Sequence, residues 1–288
     1  MPRRDAFTHQ DVTFADSVTD LASEQQANGL IVASGSHGGQ FSALVALSAH
    51  VGGIAFNDAG VGLDSAGIAG LLMLAAVGVP AVAVAHTSAR IGRAADTYAG
   101  LVTKVNEPAA KLGCKPGETA AEALDLMKVG PQDHGRALVT RLEQRRLVIS
   151  TGVLVWALDS ASLVTPGDRE SIVVTGSHGG LVGGDAARAL ASSVIAAIFN
   201  DAGGGKDGAG WARLAVLDEQ GTPAATVSAA TARIGDGMST FESGVVSHAN
   251  DAATRHGVAI GMRAQELVDL MRRAAAAGRS GGGDRDTA

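Results

Sequence analysis

Short apolar runs recur along this chain, and each one ends on a polar motif that contains glycine or precedes one. In the first half, residues 30–33 lead into Gly35-Ser36-His37-Gly38-Gly39, and a helical stretch, 41–50, follows. A second run, 53–56, ends on Asn57-Asp58. After a helical stretch at 66–77 comes a third run, 81–85, and then the turn Ala89-Arg90-Ile91-Gly92. The runs do not alternate apolar with polar residues, which is the mark of strands covered on both faces. Strands alternating with helices predict a βαβαβ unit with a parallel sheet.

The same pattern then returns. Ile172 begins a second strand ending on Gly176-Ser177-His178-Gly179-Gly180, Asn200-Asp201 matches Asn57-Asp58, and Ala232-Arg233-Ile234-Gly235 matches the third-run turn. The spacing between partners drifts only from 141 residues at Ile31 and Ile172 to 144 at Asn106 and Asn250. The fold expected is therefore α/β, two tandem pseudo-symmetric copies of a parallel-sheet βαβαβ unit, at 10–128 and 151–272. The period is too long for a stacked solenoid. The tail, 273–288, ends in glycine, serine and aspartate and is expected to be disordered.

Composition narrows the classes. Aromatic residues are only 3% and glycines number 39, so the core relies on close packing of small side chains. The net charge of −6, with no basic patch interleaved with aromatics, excludes a broad nucleic-acid surface. Residues 66–85 are uncharged and long enough to span a bilayer, but their counterparts include Arg213, Asp218 and Glu219. Both segments therefore read as helix-turn-strand, and no membrane is expected. Cys114 is the only cysteine, so no internal disulfide forms and the thiol reads as buried and inert. Residues 1–14 have no apolar signal core, which makes the cytoplasm the expected compartment.

The strand ends carry the candidate chemistry. His37 and His178 suit proton transfer near neutral pH. Asp58 and Asp201, on the next strand ends, would orient those rings or act as bases, and these four are the candidate catalytic residues. Ser36, Ser177, Gly38, Gly179, Asn57 and Asn200 would line the substrate and its oxyanion, with helix N–H groups behind them. Arg90 and Arg233 would clamp a carboxylate. Each has a plainer reading: tight turns for the loops, Asx turns for Asn-Asp, ion pairs for the arginines. Histidine at the same place in both copies favours function. His86, His134, His248 and His256 have no partner in the other copy and read as surface or structural.

The Ser-His-Gly strand end is locally similar to that of caspase-like peptidases, whose next strand ends at a nucleophilic cysteine. Here that strand ends at Asn-Asp-Ala-Gly, which excludes a cysteine-peptidase mechanism. The parts fit hydrolysis of an amide, lactam or ester bond in a small, anionic molecule. The alternatives are a non-catalytic small-anion binder and a cofactor-free isomerase or lyase. No cofactor is expected; His and Asp from two strand ends would also accept a divalent metal. A homo-oligomer is compatible with the sequence.

Overall fold

The computed structural model describes residues 12–23, 29–130 and 144–281. They group into two compact units, with the boundary between Leu142 and Glu143. The first unit also takes in Gly180–Asp185 and Ala202–Gly210 from the second repeat. His134 and part of the connection between the repeats lie outside the described residues.

The first unit runs β1 (Val12–Ala15), β2 (Ile31–His37), α1 (Gln40–Ser48), β3 (Gly53–Asn57), α2 (Gly70–Ala76), β4 (Ala81–Val84), α3 (Ala94–Ala99), β5 (Val102–Val105), α4 (Glu107–Lys111) and α5 (Ala120–Met127). Its sheet has the order β1-β2-β3-β4-β5, with the first four strands parallel and β5 antiparallel to β4. Because each parallel crossover steps in the same direction, right-handed connections place their helices on one face. Val32, Ile54, Phe56 and Ala83 accordingly pack with Ala43 and Leu47 of α1 and with Leu71 and Leu74 of α2. Ile31, Ala33, Ala55 and Val82, on the opposite face, pack with Ala120, Leu124 and Met127 of α5. Cys114 is buried in that second cluster, and burial, helped by Glu118, pushes its thiol pKa up to about 11.

The second unit runs β6 (Arg145–Ile149), β7 (Leu154–Leu158), β8 (Ser171–His178), β9 (Ala196–Asn200), α6 (Arg213–Glu219), β10 (Ala224–Val227), α7 (Gly237–Ser243), β11 (Val246–Ala249), α8 (Asp251–Thr254) and α9 (Ala264–Gly281). Its order is β11-β10-β9-β8-β7-β6, with β7 to β10 parallel and both edge strands antiparallel. The α/β fold in two tandem units is thus what the repeat implies. The sheets are mixed rather than wholly parallel, because the short, partly buried edge strands β5, β6 and β11 run antiparallel to their neighbours. These three, and the parallel strands β1 and β7, lie outside the three-strand unit the sequence predicts. The helix α9 runs on to Gly281, so the start of the expected tail is helical.

One difference between the repeats has a local cause. The helix α1 follows Gly39, but after Gly180 the chain makes only short 3-10 turns, with Gly183 and Gly184 at φ +65° and +67°. The first residue of α2 is Gly70, and a Cβ there would sit 2.7 Å from Ala43 of α1 and 2.4 Å from the Gly39 carbonyl oxygen. The matching first residue of α6 is Arg213, buried, donating to the Ala189 carbonyl at 2.7 Å and lying 4.7 Å over the Phe199 ring. A long side chain fills the face that α1 covers in the first unit. Burial, with repulsion from Arg188, lowers the Arg213 pKa to about 10.

Candidate functional site

In both units the histidine and aspartate strand ends are neighbours. His37 pairs in register with Asn57, and His178 with Asn200. The paired motifs therefore fall at equivalent places, along the carboxyl edge of each sheet. What they do there differs from one motif to the next.

The glycine-rich loops are held by backbone packing. A Cβ on Gly35 would lie 2.5 Å from both Arg93 N and Asp16 O, and one on Gly176 would lie 2.3 Å from Asp236 N. Ser36 Oγ accepts the Val18 N–H at 2.9 Å, and Ser177 Oγ accepts the Ala161 N–H at 2.8 Å. The N–H groups of Gly38 and Gly179 donate to the carbonyls of Asn57 and Asn200. Gly39 N–H donates to His37 Nδ1 at 3.1 Å. Burial takes the His37 pKa down to about 4, so the ring is neutral at pH 7. With Nδ1 accepting, its proton sits on Nε2, which makes His37 a donor. His178 is likewise buried at its strand end.

Asn57 and Asn200 are buried and donate to the carbonyls of Ala89 and Ala232, tying each strand end to the Ala-Arg-Ile-Gly turn. Arg90 pairs with Asp96 at 3.0 Å and Asp207 at 2.5 Å, and Arg233 with Asp236 at 3.1 Å. Asp16 and Asp159 accept the first N–H of α3 and α7.

Asp58 is the exception. Its Oδ1 accepts from Gly60 N–H at 3.0 Å, His86 N–H at 2.9 Å and His86 Nδ1 at 2.8 Å, and its Oδ2 accepts the Thr103 hydroxyl at 3.0 Å. The structure thus brings Asp58 together with His86, not with His37. Burial raises the Asp58 pKa, but the His86 side-chain bond, the His86 and Gly60 backbone bonds and the His86 charge outweigh it, and the carboxyl is held below its usual range. An ionised Asp58 fixes the His86 proton on Nδ1 and leaves the lone pair on Nε2. The Asp58 side chain is 5% exposed while the His86 side chain is 26% exposed, so the carboxylate is sheltered and the imidazole is reachable.

Local geometry explains the pairing. Asn57 lies beside Val84 in the sheet, so the residues just past β3 and β4 converge. The segment Ala202–Gly210 walls the ring: Lys206 N–H donates to the His86 carbonyl at 2.7 Å, and a Cβ on Gly203 would lie 3.3 Å from His86 Cδ2 and 2.8 Å from Gly60 Cα. Beneath it, Ala59, Gly60, Val61 and Gly62 all have left-handed φ, from +48° to +71°. Such a run is costly for Ala and for β-branched Val, and strain of this kind gathers at functional sites.

His86 has no counterpart in the second repeat, where Ala229 stands in its place. The signal available was its position, two residues beyond the strand adjoining Asp58. Among the described residues, no group of three or more His, Cys, Asp or Glu side chains is placed to hold a metal ion, and no helix is long and apolar enough to cross a membrane. No family model matches this chain, and no curated protein or solved structure matches it either.

Proposed function

We propose that the chain is a hydrolase of small molecules, acting on an amide, lactam or ester bond, with the Asp58–His86 pair as its general base. The observation that carries this is the 2.8 Å bond between a sheltered carboxylate and a reachable imidazole at adjoining strand ends. Such a pair takes a proton from water at Nε2 while the carboxylate stabilises the imidazolium that forms. The water oxygen bonds to the acyl carbon, the C–N or C–O bond breaks, and the imidazolium returns the proton to the leaving nitrogen or oxygen. His37, with its proton on Nε2, suits a hydrogen-bond donor in this scheme, and the other strand-end motifs serve as its scaffold. We assign the activity to the cytoplasm, in keeping with a single buried thiol.

The test is a product screen with purified protein against small amides, lactams and esters, comparing wild type with His86→Ala and Asp58→Asn. Product from wild type that both variants form at least about a hundredfold more slowly, with folding intact by circular dichroism, supports the reading. Binding without product establishes a binder instead, and product from both variants at the wild-type rate removes this pair from the mechanism.

A further inference from the structure

In the second unit, Asp201 starts from the same backbone frame as Asp58. Its Oδ1 accepts the Ala229 N–H at 2.8 Å, the counterpart of the His86 N–H bond to Asp58. Ala229 brings no imidazole. An imidazole enters from a different strand: His248 on β11, where the first repeat has Lys104. In the register, His248 lies opposite Thr226 of β10, and Thr226 lies beside Phe199 of β9, two residues before Asp201. His248 stacks on Trp211, with ring centroids 3.7 Å apart and planes within 15°. Trp211 in turn replaces Ile68. Two positions that depart from the first repeat thus meet ring to ring in the second. Burial lowers the His248 pKa, and the Asp201 charge opposes that. The ring's Nδ1 is buried and, among the described residues, has no hydrogen-bond partner. A native structure keeps such an orphaned nitrogen rarely, and a ligand contact is one reason for it.

We propose that His248, Trp211 and Asp201 form a second proton-transfer site, in the second unit, which receives the same class of amide or ester at the buried edge of the His248 ring. Trp211 fixes the ring plane, and Asp201 favours the imidazolium formed when His248 takes a proton from water. The stoichiometry is that of the first site, with the proton returned to the leaving nitrogen or oxygen. The chain would then carry two catalytic centres built from non-equivalent positions of one repeat. This rests on the hydrolytic reading above.

Two measurements on the full chain test it. Histidine ring signals are followed by NMR across pH in wild type and Asp201→Asn. The His248 midpoint is expected to move to lower pH in the variant; an unmoved midpoint overturns the pairing. Turnover on the substrate from the product screen is then compared in His86→Ala, His248→Ala and the double variant. Residual turnover in His86→Ala that falls a further tenfold or more in the double variant supports a second centre. Complete loss in His86→Ala with full activity in His248→Ala overturns it. Full turnover in all three variants removes both histidines from the mechanism, while absence of product from wild type overturns the hydrolytic reading itself; in either case the NMR result still decides the pairing.

Discussion

A carboxylate that holds one ring nitrogen of a histidine sets which nitrogen can accept a proton. At Asp58 four donors converge on one buried carboxylate, and one of them is the His86 ring. A general base contributes roughly 10²–10⁴-fold to rate, so His86→Ala is expected to lower kcat by about that factor. Asp58→Asn is expected to do the same through the wrong tautomer, and steady-state kinetics on the screened substrate checks both. His37 makes a separate prediction, about stability. Its pKa is about 4 in the folded chain against 6.5 for an unperturbed imidazole. Between those values the unfolded chain binds the proton and the folded chain does not, so stability falls as pH drops from 6.5 towards 4. The loss attributable to His37 is on the order of 3 kcal/mol. In His37→Asn, which keeps an acceptor for Gly39 N–H, urea unfolding at pH 7 and pH 4 should show a loss smaller by about that amount. Asp58 acts lower on the pH scale, because its carboxyl stays ionised below the usual range.

At the scale of elements, the Gly-Ser-His-Gly-Gly loops are crossings where two backbones pass in contact. Gly92 N–H donates to the Gly35 carbonyl at 2.7 Å, and Gly235 N–H to the Gly176 carbonyl at 2.7 Å. A methyl group at Gly35 or Gly176 meets backbone atoms at 2.5 Å or less, and backbone cannot rotate aside as a side chain does. Gly35→Ala and Gly176→Ala are each expected to cost about 1–3 kcal/mol. The control is Gly167→Ala, where the nearest atom to the added Cβ is Thr165 Oγ1 at 3.6 Å; its urea midpoint should stay close to wild type. The loss of a counterpart to α1 in the second repeat belongs to this scale too. Gly183 and Gly184 in left-handed conformation interrupt the helix, and the buried Arg213 takes the space.

At the scale of the molecule, the first unit is not identical with the first repeat. It takes in Gly180–Asp185 and Ala202–Gly210, and these supply Asp207 to Arg90, Lys206 N–H to the His86 carbonyl and Gly183 N–H to the Gly92 carbonyl. A chain cut after Gly130 loses all three bonds and the wall beside His86. Hydrogen exchange of the amides at 86–93 is therefore expected to be faster in the cut chain than in the full chain. Equal protection in both would show that the first repeat orders its site alone.

The repeated motifs determined the α/β unit, its duplication and the adjacency of the His and Asp strand ends, because unalternating apolar runs and glycine crossings constrain the backbone locally. They did not reveal β1 or β7, nor β5, β6 and β11, whose edge positions leave most of their residues short of full burial and so weaken the apolar signal. Nor did they reveal the partner of Asp58. The sequence offered His37, equivalent in both copies; the fold buried that ring against Gly39 and turned Asp58 towards His86, a residue with no repeat counterpart. Which imidazole a carboxylate holds depends on the register of neighbouring strands and on the turn beyond each one. Those are decided by packing across the sheet, between residues 28 positions apart in the chain.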